Sequence, residues 1–380
     1  MLIHMLSQRL PPENRTGAPL QALALATALS ASGDRVVVYS TLSRRIADIP
    51  PVAPGPELRL LRYRSLPFAT AVMRLAVAAR HAAEIGAADV VHGHALSPMV
   101  LGYALARRTG SAPFLVKPSL GGAHAEGELD RLAAVMPRRM LQHLLSRIDG
   151  FAVLDDCIEA ELGSFGVGAE RIHRVANGVD TTRFAPASPA VRKSLRVRHG
   201  IDGSRTVIAF VGQLSARKGV PELLEAWRSL PRGDAAPVLV LAGTGPLRET
   251  VEAASTVSGG GIRYLGELAD VVPVLQMADI LVLPSRAESF GNVVLEAMAT
   301  AVPVAATRVG IAPAVVEENE TGWVIPEVSV AGIRDTLRRA LGGAAHRAAM
   351  GEAARARALE FGFATIAARY REIYAHLQRH

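Results

Sequence analysis

The sequence predicts an α/β fold made of two doubly wound parallel sheets, one in each half of the chain. Short apolar runs of four to six residues alternate with longer Ala- and Leu-rich stretches of helical period. That rhythm occurs twice, and a turn-rich segment at 177–189, NGVDTTRFAPASP, separates the two occurrences. Alternating strands and helices favour parallel sheets covered on both faces.

The elements follow in order. In the first half, apolar runs predict strands at 2–6, 35–39, 58–61, 89–92, 114–117 and 151–154. Helical period predicts helices between most of them, for example at 18–31 and 98–108. In the second half, strands are predicted at 207–211, 238–242, 262–264, 280–283 and 302–305, with helices at 221–229, 247–254, 271–276 and 293–300. Beyond residue 330 the composition is helical, over 331–342, 344–360 and 363–378. The expected domains are 1–176 and 191–362, joined by a linker at 177–190, with a final helix at 363–380 packing back towards the first domain. Open sheets of this type bind ligands outside the carboxyl ends of their strands, so the expected site is a cleft between the domains.

A chain of 380 residues that is 49% hydrophobic and 20% charged can bury a sizeable core, which excludes disorder. Its single cysteine, Cys157, excludes an internal disulfide and a cysteine-based zinc site. The net charge of +7 rests on arginine, because Lys117, Lys193 and Lys218 are the only lysines. That surplus reflects either genomic base composition or affinity for phosphate-bearing partners. Aromatic residues make up 4% and no basic stripe is concentrated anywhere, so no nucleic-acid partner is expected. The longest uncharged stretch, 17–33, is interrupted by polar residues, and the N-terminal 15 residues lack the order of a signal peptide. A cytoplasmic location is the expectation.

The most informative stretch is 280–310, ILVLPSRAESFGNVVLEAMATAVPVAATRVG. A strand runs to Leu283, a loop follows, and a helix opens near Gly291. Between Gly291 and Thr307 the only charged residue is Glu296. A carboxylate in a buried-looking helix is costly without partners. It lies about one turn from the helix start, and its side chain leans back towards that end. Free amides of Phe290, Gly291 and Asn292, together with the helix dipole, suit a phosphate. Phosphate beside a carboxylate that can accept from a diol describes a nucleotide ribose-phosphate pocket. The plainer alternative is an acid that only caps its helix.

Two further strand-loop-helix units precede it. FVGQLSARKGVPELLEAW, 210–227, places Gly212, Arg217 and Lys218 in a loop suited to a diphosphate. It lacks the spacing of a Walker loop. VLAGTGPLRE, 240–249, offers Gly243 and Gly245 without the third glycine of a dinucleotide fingerprint.

In this order the pieces resemble the retaining nucleotide-sugar glycosyltransferases of family 4, which have the GT-B fold. The resemblance rests on NGVDTTRF at 177–184, GQLSARKG at 212–219, AGTGP at 242–246 and the two glutamates Glu288 and Glu296 of ESFGNVVLEAMA. It is specific over about 150–330 and softer before that. It implies a donor-binding C-terminal domain and an acceptor-binding N-terminal domain. Glu296 would hold the ribose hydroxyls, Glu288 the donor sugar, and the amides around Phe290, Gly291 and Asn292 the diphosphate. Lys218, with Arg217, Gly212 and Gly243 nearby, would neutralise the departing phosphates. One departure stands out: Gln213 replaces the family's usual arginine, and a neutral amide cannot neutralise a phosphate.

The first half is read less sharply. Gly17, after Thr16, opens a helix and resembles the family's glycine pair near the donor phosphates. VVHGHALSP, 90–98, puts His92 and His94 on one side of a strand end facing the cleft. The resemblance favours His94 as a catalytic or substrate-contacting residue, and no third ligand suggests a metal. In FLVKPSLGGAHAEGEL, 114–129, Lys117 and His124 are the candidates where relatives carry a sugar-contacting histidine. The alternative for each is a structural side chain. The basic pairs 44–45, 107–108 and 138–139, and the amphipathic stretch 136–148, suit a peripheral contact with the inner membrane face, or simply a solvated helix.

The implied reaction moves a sugar from a nucleoside diphosphate sugar to a hydroxyl of a glycan, lipid-linked or small-molecule acceptor, with retention. The donor is a co-substrate; no tightly bound cofactor is expected, and no Asp-x-Asp motif implies a metal. Two alternatives stay open: a non-catalytic nucleotide-sugar-binding or scaffold protein, and a sugar-nucleotide epimerase.

Overall fold

The computed structural model describes residues 1–7, 10, 17–42, 55–62, 70–119, 127–230 and 236–379. The chain divides into two units. The first comprises Met1–Gly178 with Phe363–His380, and the second comprises Val179–Gly362.

The first unit holds β1 (Leu2–Ser7), β2 (Arg35–Leu42), β3 (Glu57–Arg62), β4 (Val90–His94), β5 (Phe114–Lys117), β6 (Gly150–Val153) and β7 (Ile172–Arg174). They form a seven-stranded sheet in the order β3-β2-β1-β4-β5-β6-β7, every neighbouring pair parallel. One face carries Ile3, Met5, Val36, Val90 and Leu115 beneath helices Gly17–Ala31 and Phe363–Leu377. The other carries Leu6, Val37, Val91 and Val116 beneath helices Pro98–Ala106 and Arg138–Ser146. Because side chains alternate along a strand, His92, His94 and Lys117 fall on the first of these faces, under the final helix.

The second unit holds β8 (Val207–Val211), β9 (Val238–Ala242), β10 (Ile262–Tyr264), β11 (Ile280–Leu283), β12 (Val304–Thr307) and β13 (Gly322–Ile325). Their order is β10-β9-β8-β11-β12-β13, again all parallel. β8, β9 and β11 are apolar at every position and buried at every position, as strands covered on both faces must be. In each sheet the order reverses beside the first strand, between β1 and β4 and between β8 and β11. These are the switch points at which doubly wound sheets open a crevice at the strand ends.

Both sheets are thus Rossmann-like. Pattern reading differs from the structure at a few ends. The strand expected at 302–305 is Val304–Thr307, because Pro303 has no N–H for the ladder. β7 and β13 are short edge strands that the apolar pattern does not single out; β7 carries only Ile172 among polar residues.

Candidate functional site

In the second unit, four strand-end loops are tied to one another. Gly212 N–H donates to Ala242 O at 3.0 Å, and Leu214 N–H to Thr244 O at 2.9 Å. Gly243 lies so close that a Cβ there would sit 1.9 Å from Gly212 O, and its φ of +138° is one that other residues rarely adopt. This contact fuses the loop after β9 to the loop after β8. The loop after β8 is tied in turn to the loop after β11: Arg286 N–H donates to Arg217 O at 2.8 Å, and the Arg217 guanidinium donates to Ala287 O at 3.2 Å. Ile311 N–H then donates to Phe290 O at 2.7 Å, adding the loop after β12.

Within this assembly the Lys218 ammonium donates to the Glu288 carboxylate. Ser285 Oγ donates to the same oxygen, Glu288 Oε1, at 2.6 Å. Ser285 is fully buried, and its carbonyl accepts from Thr307 Oγ1 at 2.5 Å. Helix Asn292–Ala299 follows at once. Its N-cap is Gly291, with φ +81° and ψ +52°, and no side chain caps it. The left-handed turn at Gly291 lets the loop enter the helix while its first amides stay uncapped by any side chain. Glu296 sits one turn further on, half-buried, and makes no side-chain hydrogen bond among the described residues. Burial raises its pKa to about 7, against a weaker opposing pull from Arg183. Gln213 is exposed.

The structure therefore brings together Gly212, Arg217, Lys218, Gly243, Glu288, Phe290, Gly291, Asn292 and Glu296, read from three separate stretches of sequence. It adds Ser285 and Arg286, which the sequence reading passes over. Arg286 donates to Ala216 O at 2.8 Å and pairs with Glu222 at 2.9 Å. Neither residue carries a spacing signal, because each acts through loops remote in sequence.

In the first unit, Gly17 is the exposed first residue of helix Gly17–Ala31, while Thr16 and His124 lie outside the described residues, as do Arg44 and Arg45. His92 and His94 do not project freely from the strand end; they are 0% and 5% exposed. Their rings stack at 4.3 Å, and His92 Nδ1 lies 2.7 Å from Tyr374 Oη. Burial depresses both: His94 falls to about 3, with Lys117 adding repulsion, and His92 falls well below its usual value. Lys117 ends β5, an interior strand of the sheet, and is buried. Its ammonium donates to Asn177 Oδ1, and burial lowers its pKa to about 7.

Beside them is a carboxylate the sequence reading missed. Glu128 accepts from Leu96 N–H at 2.8 Å, from Ser119 N–H at 3.2 Å and from Ser119 Oγ. It therefore clamps the loops that leave β4 and β5. Between them Ala95 is held at φ +65°, a strained value for alanine, with its N–H donating to Lys117 O at 2.8 Å. The amphipathic helix Arg138–Ser146 buries Leu141, Leu144 and Leu145 in its own unit, and Arg138 stacks on Phe165. Arg107 is tied to Arg147 O and to Asp149. Among the described residues no group of three or more His, Cys, Asp or Glu side chains could hold a metal, and no helix is long and apolar enough to cross a membrane.

Two family profiles match adjoining parts of this chain: Glycosyltransferase Family 4 over residues 15–183, and Glycosyl transferases group 1 over residues 191–357. The chain is a glycosyltransferase of GT-B fold related to these two families. The D-inositol 3-phosphate glycosyltransferase of Corynebacterium urealyticum is 30% identical over 268 residues, 67% of this chain and 62% of that one. The chain spans between about half and three-fifths of the curated relatives it matches. Among solved GT-B structures, sucrose-phosphate synthase from Thermosynechococcus elongatus superposes with a TM-score of 0.80 at 21% identity, covering 99% of this chain and 98% of that one. Anabaena HepE in complex with UDP and glucose superposes with a TM-score of 0.77 at 19% identity, covering 99% and 100%. These two likenesses establish the GT-B fold.

Proposed function

We propose that the protein transfers a sugar from a nucleoside diphosphate sugar to an acceptor hydroxyl, with retention of anomeric configuration. The Lys218–Glu288 pair at the entrance of helix Asn292–Ala299 carries this reading. It sets a cation and a carboxylate beside amides aimed along a helix dipole, within a cluster of four strand-end loops. A diphosphate fits the amides of Phe290, Gly291 and Asn292, with Gly212 and Gly243 allowing close backbone approach. Glu296 would accept from the ribose hydroxyls, and Glu288 from the donor sugar. Lys218 would move from Glu288 to the phosphate oxygens as negative charge builds there. Arg217 is held by Ala287 O and would reinforce that field from the side.

In the reaction proposed, the acceptor oxygen bonds to the anomeric carbon as the bond from that carbon to the diphosphate breaks. The acceptor proton passes to the departing phosphate oxygen on the same face. No covalent enzyme intermediate forms, and no metal or bound cofactor is required. In the first unit, His94 is the proposed sugar-contacting side chain; Lys117 and Gly17 are candidates for acceptor or phosphate contact, and His124 remains a candidate from sequence. His92 supports rather than contacts. The acceptor is a glycan, a lipid-linked sugar or a small molecule, and the protein works in the cytoplasm or at the inner membrane face. HepE's complex with UDP and glucose and the Corynebacterium enzyme's name make UDP-glucose and D-inositol 3-phosphate sensible first reagents.

Calorimetry against UDP-, GDP- and ADP-sugars tests donor binding. Assays of nucleoside diphosphate release, with and without acceptors, test transfer. Binding of one donor class and its cleavage, lost in Glu288→Ala, is the expected result. Donor binding without cleavage across a range of acceptors would point instead to a scaffold, and release of an altered free sugar nucleotide would point to an epimerase.

A further inference from the structure

We propose that Tyr374, on the chain's final helix, is a positioning residue for the transfer reaction, acting through His92 on His94. The proposal rests on the reading of His94 as a sugar-contacting side chain. Helix Phe363–Leu377 covers the sheet face on which His92 and His94 stand. His92 is held there from several sides. Its Nδ1 lies 2.7 Å from Tyr374 Oη, its ring stacks on His94 at 4.3 Å and 28°, and Tyr370 lies against it at 5.0 Å. The Tyr374 ring meets it edge-on at 5.8 Å. One hydrogen bond and three rings fix the plane of His92, and the plane of His92 fixes that of its stacked neighbour.

What this arrangement leaves open is His94 Nε2. That atom, like His92 Nε2, is buried and has no hydrogen-bond partner among the described residues. A buried nitrogen without a partner is costly, and a substrate hydroxyl would satisfy it. The groups facing the two rings are Lys117 from β5, and Tyr370 and Tyr374 from the final helix, with the field of Asp34 reaching Tyr374. Among the described residues no carboxylate contacts either imidazole. Both rings therefore stay neutral, and His94 can accept from or donate to a hydroxyl rather than pair with an anion.

The test is a cycle of Tyr374→Phe, His92→Phe and the double variant. It is read as nucleoside diphosphate release from UDP-glucose or GDP-mannose, whichever the wild type turns over, alongside His94→Ala. Each single variant is expected to lower kcat about tenfold with donor KM unchanged, and the double variant to lose no more than either one, because both cut the same link. The His94 ring signals in NMR of histidine-labelled protein should shift in Tyr374→Phe, which a purely structural role at a distance would not produce. Wild-type kcat in a folded Tyr374→Phe variant, or an additive, about hundredfold loss in the double variant, overturns the proposal. If Tyr374→Phe does not fold, the double variant decides, since Phe at 92 removes the ring nitrogen that would otherwise lose its Tyr374 partner; wild-type kcat there overturns the proposal. Full activity in His94→Ala removes the reading beneath it, and the proposal with it. Loss in His94→Ala with unchanged Tyr374→Phe removes the positioning role alone.

Discussion

Lys218 and Glu288 stand 70 residues apart in sequence, and their side chains form an ion pair that joins the loop after β8 to the loop after β11. The pair is largely withdrawn from water, with the carboxylate at 6% and the ammonium at 13% exposure. Removing one partner strands the other. Lys218→Ala is expected to lower the transfer rate by about a hundred- to a thousandfold, the range seen when one charge-stabilising donor is lost. It should also lower Tm, because Glu288 then keeps only Ser285 as a side-chain partner among the described residues. Glu288→Gln should keep the Ser285 bond, and most of the Tm, while losing the rate. Initial rates of nucleoside diphosphate release and thermal melts check both.

Glu296, as the proposed partner of the ribose hydroxyls, should make donor affinity depend on pH. Its pKa is raised to about 7, and two ribose hydroxyls are best accepted by the ionised form. Affinity should therefore rise as pH climbs through neutrality and level off above it. The linkage to stability runs the other way. The folded state holds a proton that the unfolded chain has released, so this group's contribution falls as pH rises from about 4.5 to 7. Calorimetric titration across that range should show the affinity trend, and Glu296→Gln should abolish it.

Gly243 is where two loops meet without room for a side chain. Gly243→Ala places a methyl 1.9 Å from Gly212 O at a φ of +138°. The loops must part, at a cost of about 1–3 kcal/mol of stability from backbone strain alone. Denaturant unfolding should report that loss. Donor affinity should fall by more than stability predicts, because the displaced backbone carries the proposed phosphate contacts.

Glu128 holds the strained turn at Ala95. Glu128→Ala removes the oxygen that the N–H groups of Leu96 and Ser119 share, and the one that accepts from the Ser119 hydroxyl. The expected loss is about 1–3 kcal/mol, the usual consequence of leaving buried donors unmatched. Faster hydrogen exchange at Leu96 and Ser119, and lower activity through His94, would accompany it.

Gln213 is exposed at the position where the family resemblance implies an arginine, and the Arg217 guanidinium is tied to Ala287 O beside it. Gln213→Arg is expected to tighten nucleoside diphosphate binding by about tenfold, or about 1.4 kcal/mol, with an increased salt dependence. Calorimetry with UDP and GDP at two ionic strengths measures this.

Much of the second unit was legible in its residues. The runs VIAFV, VLVLA and ILVL are apolar without interruption, short and bounded by turn-forming residues, which suits strands covered on both faces. Glu296 announced itself as a lone charge in an apolar stretch, and Lys218 as one of three lysines. Ser285 and Glu128 announced nothing, because their partners come from other loops. His92 and His94 were legible as a pair on one face, but alternation along a strand does not say what covers that face.

The amino-acid pattern by itself determined the two parallel sheets, the loops at their strand ends and the residue types that suit a nucleotide sugar, because period and composition are local properties. Tertiary structure alone decided that Lys218 meets Glu288, that Glu128 binds two loops together, and that a tyrosine near the end of the chain lies against a histidine 282 residues earlier. Those contacts depend on which strands become neighbours and which helix covers them. That outcome is set by burial of the whole core and cannot be read from any one segment.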